Sequence, residues 1–281
     1  MCRAICQEWP RHRERVARRH GRRHPRTVTA LVALVVGVTL STDPASVGAV
    51  DFRIATQIYV GDETEPVSQN LTLFRAGIVY DFLLAPTQIA VFKRSADGEG
   101  RFILLDPSRR LRSEISSRKI DDFLAELKVW AAGQKDPLLR FAANPEFEER
   151  FEPLRGVLQL DSDWMQYDLQ TVAAKDPQAI MAYREFSDSY GRFGAATHVG
   201  STPPFPRLAV NAALCRHERL PEQVRLLIPA HKPFRTKDVV IRAEHQVGWR
   251  LSRQDLQRID EVDQQLISFK PVSYDEYRRP G

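Results

Sequence analysis

Residues 50–60, VDFRIATQIYV, alternate without a break: Phe52, Ile54, Thr56, Ile58 and Val60 fall on one side, Arg53, Gln57 and Tyr59 on the other. A period of two marks a strand with one buried face. At ~3.3 Å per residue the run spans about 36 Å, long for a globular strand, and a long twisted sheet curls around something. Further strand-like runs follow at spacings near ten residues: Leu71–Phe74, Ile78–Leu84, Gln88–Phe92, Arg101–Leu105 and Leu111–Ile115. Arg75-Ala76-Gly77 and Asp97-Gly98-Glu99-Gly100 supply turns between them, since glycine tolerates positive φ. The first half therefore reads as an antiparallel meander.

Helices are expected to follow. Ser116 or Ser117 caps a run with Ile120, Phe123, Leu124, Leu127, Trp130 and Ala131 on one face, stopped by Gly133. Asp136-Pro137 and Asp176-Pro177 open two more, with proline in the first turn, where its missing N–H costs nothing. The second carries Ile180, Tyr183, Phe186, Tyr190 and Phe193 on one side. A hairpin is expected around Asp161-Ser162-Asp163, a helix near Pro204–His217, and strands at Val224–Ile228 and Val239–Val247. Ser252 and Asp255 form a capping-box pattern ahead of Leu256, Ile259, Val262 and Leu266. The expected fold is α+β: a long curved antiparallel meander sheet, unclosed and barrel-like, covered or filled by several helices. Residues 50–281 are expected to form one domain.

The first 49 residues have a different character. A basic run from Arg3 to Arg26 precedes the uncharged segment TVTALVALVVGVTL (27–40) and a small-residue site, Val47-Gly48-Ala49. That is the order of a secretory signal peptide. The apolar segment is shorter than the about 20 residues a membrane-spanning helix needs, so no permanent span is expected; an uncleaved N-terminal membrane anchor is the alternative. Nine of the chain's 41 basic residues and three of its 36 acidic ones lie in this leader, which leaves 32 against 33 beyond it. The positive balance belongs to the leader, and nucleic-acid binding, which rests on neutralising phosphate charge, is not expected. Only Cys215 lies outside the leader, so no internal disulfide holds the domain.

Catalytic motifs are scarce. There is no glycine-rich phosphate loop and no Gly-x-Ser-x-Gly elbow. His198, His217, His231 and His245 are not paired at metal-ligand spacing, so neither a metal nor a cofactor is expected. Two constellations stand out. Trp130, Trp164, Tyr183, Phe186, Tyr190 and Phe193 could line a pocket for an apolar ligand inside a curved sheet, or simply fill the core. The proline-dense loop around residues 198–207 carries His198, Ser201 and Arg207, a polar set of the kind a hydrolase uses. Asn70-Leu71-Thr72 also matches a glycosylation acceptor.

The segments NLTLFRAGIVYDFLL (70–84), RFILLDPSRRLRSEIS (101–116), YREFSDSYGRF (183–193) and STPPFPRLAVNAAL (201–214) resemble a group of uncharacterised exported proteins of planctomycete type. In pattern, the meander is similar to that of the lipoprotein-carrier (LolA-like) fold, an unclosed barrel covered by helices that shields acyl chains. The resemblance implies an exported, periplasmic or extracellular protein, with an apolar ligand such as a lipid or an envelope protein as partner. It carries over no functional residue, and the segments after Ser116 contain more helix than a simple carrier needs. The sequence thus leaves a binding or structural protein against a hydrolase-like enzyme.

Overall fold

A computed structural model describes residues 50–85, 87–198, 202–231 and 234–279. The expected leader and Ser201 lie outside the described residues. Six strands come first: β1 (Phe52–Val60), β2 (Ser68–Arg75), β3 (Ile78–Leu84), β4 (Thr87–Arg94), β5 (Gly100–Asp106) and β6 (Leu111–Ser116). Each pairs antiparallel with the next. A second meander contains β7 (Glu148–Glu152), β8 (Val157–Asp161), β9 (Gln166–Ala173), β10 (Arg219–Ile228) and β11 (Val239–Gly248). Then β11 returns to β1, with Thr56 opposite His245, and fuses the two meanders into one twelve-stranded sheet. The short β12 (Lys270–Pro271) lies parallel on β6. Its edges, β12 and β7, do not pair with each other, so the barrel-like sheet stays open.

The helices begin where the sequence punctuates them. In α1 (Ser117–Ala132) the Ser116 side chain accepts from the Lys119 N–H, and Gly133 ends the helix. Asp136 and Asp176 accept in the same way from Leu138 and Gln178, starting α2 (Pro137–Ala143) and α3 (Pro177–Thr197). These caps satisfy backbone donors that the first helical turn leaves without a partner. Helix α4 (Phe205–Arg216) starts from Pro204 without a side-chain cap. In α5 (Arg253–Ser268) both halves of the Ser252–Asp255 capping box are made. The tail forms α6 (Tyr274–Tyr277), in which Asp275 and Glu276 are exposed and Tyr277 is buried in the main core.

Period-two alternation sends opposite faces of the first meander to different helices. Phe52, Ile54, Phe74, Val79, Phe92, Phe102 and Leu104 face α1 and α3. Leu71, Leu73, Tyr80, Ile89, Val91, Ile103 and Leu105 face Ile259 and Val262 of α5. The second meander has its own core, in which Leu158, Leu160, Tyr167 and Leu169 pack on Leu138 of α2 and Val210, Ala213 and Leu214 of α4. A full burial of one such large apolar side chain contributes about 1.5–3 kcal/mol.

Several details depart from the sequence-based expectation. Strand β7 and the parallel strand β12 are additional. Strand β10 begins five residues before Val224 and runs through Pro221, which a central strand tolerates because the register shifts there. Trp130 is 39% exposed. The buried line of α1 is Ile120, Leu124, Leu127 and Ala131, and Trp130 lies about 100° around the helix from Ala131.

Candidate functional site

The helices do not fill the concave side of the sheet everywhere. Where the two meanders meet, a cavity of about 310 Å³ remains between β1, β2, β3, β9, β10 and β11 on one side and α3 and α4 on the other. Ile54, Ile58, Val224, Leu226, Ile241 and Ala243 form its strand walls; Phe186, Val210 and Leu214 close it from the helices. The volume is at the lower end of the ~300–1,000 Å³ common for ligand pockets.

A polar stripe crosses this apolar lining. Asp81, almost fully buried, accepts from Thr72 Oγ1 at 2.7 Å and from Asn70 Nδ2 at 3.1 Å. The Tyr190 hydroxyl bonds it as well. Burial raises the Asp81 pKa above the ordinary carboxylate value, despite the opposing effect of these bonds and of the Arg207 charge. One step along the sheet, Thr56 Oγ1 lies 2.9 Å from His245 Nδ1. Burial, and then the Arg207 charge, push the His245 pKa down to about 4, so the ring is neutral at pH 7. Burial likewise pushes Tyr167 up to about 12 and raises Tyr183 and Tyr190. No His/Cys/Asp/Glu cluster among the described residues has the makings of a metal site.

Arg207 is the cation of this site. It stands in the first turn of α4, is exposed, and also lines the cavity, so it marks an opening. Its Nη2 donates to Ser187 Oγ at 3.3 Å. The neighbouring Asn211 is engaged elsewhere, donating to Asp188 at 2.7 Å.

The residues singled out in the sequence divide clearly. Tyr183, Phe186 and Tyr190 line the cavity. Phe193, one turn further along α3, is core, stacked on Phe102 with centroids 4.7 Å apart. Trp164 sits beside the His231 ring in the β8–β9 connection, 4.3 Å between centroids, and Trp130 is on the outer surface of α1; neither reaches the cavity. Of the polar loop set, Arg207 lines the cavity, whereas His198 is exposed and its Nδ1 lies 3.2 Å from Gly194 O of its own helix. His217 is bonded to Glu149 at 2.8 Å and stacked on Phe151, an arrangement that explains it structurally. Asn70 is turned into the cavity, away from the surface a glycan requires.

Asp81, Thr72, Thr56 and His245 escaped the sequence reading. A signal existed for Asp81: it is the single charge inside the apolar run IVYDFLL, at a position facing the core. No helix among the described residues is long and apolar enough to cross a membrane. The chain matches no model of a known protein family, and no curated protein matches it.

Proposed function

We propose that this chain is an exported, non-catalytic binding protein that holds a small apolar ligand in the cavity between its sheet and α3/α4. The observation that carries the reading is the cavity itself: a partly open space with largely apolar walls between the sheet and α3/α4. Apolar walls left facing water are covered by an apolar ligand, which removes that surface from water. The leader-like composition of residues 1–49 and the resemblance of the meander to the lipoprotein-carrier fold support export and an apolar cargo. The hydrolase reading has less behind it, because His198 is turned back onto α3.

The experiment is native mass spectrometry of the purified protein together with Ala243→Phe. Ala243 faces the cavity from β11, and a phenyl ring there occupies the space a ligand needs. The expected result is a co-purifying or added apolar molecule retained by the parent and lost from the variant. Equal retention by both, or none by the parent in the presence of added apolar ligands, would refute the reading.

A further inference from the structure

The cavity has a polarity of its own. Arg207 stands on its helix side; on the strand side Ile58, Val224, Leu226, Ile241 and Ala243, all half-buried, offer no hydrogen-bonding side chain. Arg207 has no carboxylate within ion-pair distance among the described residues, and its hydrogen bond to Ser187 is long, at 3.3 Å. The carboxylates nearby are already engaged: Asp188 by Arg184 and Asn211, Asp81 by Thr72 and Asn70. The guanidinium's field reaches Asp81, Tyr167, Tyr183, Tyr190 and His245, groups on four different elements around the cavity. Because His245 is neutral at pH 7, Arg207 is the one cationic side chain among the described residues of the lining at that pH.

We infer that the ligand is a single-chain amphiphile with an anionic head, its head group held by Arg207 at the opening and its chain laid against Ile58, Val224, Leu226 and Ile241. The inference deepens the apolar-ligand reading and rests on it. A guanidinium presents a planar fork of N–H donors that fits a carboxylate or a phosphate with two parallel bonds. The Tyr183, Tyr190 and Ser187 side chains also line the cavity, Ser187 buried and Tyr190 bonded to Asp81. A cationic head would be repelled by Arg207, and an uncharged one would leave it unanswered. Selectivity for anions therefore follows from the cation's position, while affinity for the chain follows from the walls.

Isothermal titration calorimetry of the full chain separates the two contributions. The probes are dodecanoate, dodecyl phosphate, dodecanol and dodecyltrimethylammonium, each below its micelle concentration. Dodecanoate or dodecyl phosphate is expected to bind about ten- to hundredfold tighter than dodecanol, the range of a charge-assisted hydrogen bond, and the cation weakest. The tighter of the two anions identifies the head group. Arg207→Ala is expected to remove that preference, so that within the variant neither anion binds tighter than dodecanol, and Arg207→Glu to reverse it in favour of the cation. Arg207 is exposed and its hydrogen bond to Ser187 is long; circular dichroism and a thermal melt of each variant check that the fold is kept. If all four probes bind equally, or if Arg207→Ala leaves the anion preference intact, the anionic-head inference is wrong and the apolar-ligand reading survives. If no probe binds, both fall together.

Discussion

Replacing Arg53 by alanine is expected to be among the more damaging changes outside the core, and the structure explains why. Arg53 Nη1 donates to both oxygens of Asp255 at 3.0 and 2.8 Å, joining the first strand to the last long helix across 202 residues of chain. Asp255 is 1% exposed, while Arg53 keeps 32% of its side chain in water. The Ser252 N–H and hydroxyl also reach Asp255 Oδ2, each at 2.8 Å. Gly248, opposite Arg53 in the register, leaves room for the pair: a Cβ there would stand 2.8 Å from Arg53 Cγ. Breaking a fully buried pair by removing one partner costs about 3–5 kcal/mol. Arg53 is only partly buried and Ser252 still holds the carboxylate, so about 2–3 kcal/mol is the reasoned loss here. In a domain of this size that lowers Tm by roughly 4–12 °C.

A double-mutant cycle tests the cause. Asp255→Asn keeps an oxygen for the helix cap and removes the charge, so the double variant Arg53→Ala/Asp255→Asn no longer buries an unpaired carboxylate. It is expected to be more stable than Arg53→Ala alone. The pH dependence has a definite sign. Burial pushes the Asp255 carboxyl up, but the Ser252 bonds and Arg53 outweigh it and hold it below the ordinary value. A depressed carboxyl stabilises the fold above its unfolded pKa of about 3.9 and loses that contribution as pH falls through the folded value. The gap between parent and Arg53→Ala should therefore be full at neutral pH and shrink in acid. Thermal melts followed by circular dichroism measure both effects. Losses that add within ~0.5 kcal/mol, the range for independent sites, would refute the coupling.

Two further outcomes can be checked by denaturant titration or thermal melting. Gly156→Ala should cost clearly more than Gly98→Ala. Both glycines have positive φ, for which an L-residue costs about 1–2 kcal/mol, but only at Gly156 would the new Cβ also stand 2.7 Å from a backbone oxygen, that of Thr171; equal losses would show that the close approach is not rigid. Asp81→Asn should gain on the parent as pH rises above about 4. Burial raises the folded pKa of Asp81, so the stability tied to its protonated form is present below the unfolded pKa and is lost as pH rises through the folded one; parallel pH–Tm curves would refute this.

The first meander was legible because each strand carries its own alternation and its own turn. Gly77 at φ 77° and Gly98 at φ 80° are left-handed turn positions that the sequence marks with glycine, and Ala76 at φ 50° shares the first of these turns. Capped helices were legible for the same reason, since Ser116, Asp136, Asp176 and Ser252 act within three residues of where they stand. Strand β7 had no comparable signal: EERFE is an edge strand whose only apolar residue is Phe151. Strand β12 has two residues, fixed by Lys270 N–H to Arg110 O and Val272 N–H to Arg112 O rather than by any pattern. The site was harder still. Thr56 and His245 meet across 189 residues, and nothing local to either announces the other. The aromatic side of α3 was visible as a stripe, yet its division into cavity wall and core depends on what the sheet presents opposite each turn.

That division explains why the cavity is open at this place. Over β4 and β5 the sheet presents Phe92 and Phe102, which meet Phe186, Tyr190 and Phe193 of α3 at ring separations of 4.7–6.3 Å and leave no space. Over β1, β10 and β11 the inward positions include Thr56, Val224, Ala243 and His245 alongside further apolar residues. Side chains of that size do not reach α4, and the fused pair β1–β11 bridges the gap between two cores, each already packed around its own helices. Enlarging the inward residues would join the cores and close the cavity; keeping them short holds the cores apart. A sequence selected for stability alone would gain from the larger side chains, because filling a void restores lost dispersion contacts. The small or polar residues Thr56, Ala243 and His245 within this seam, with the Arg207 cation in its lining, are the structural reason to regard the space as a site rather than a packing defect.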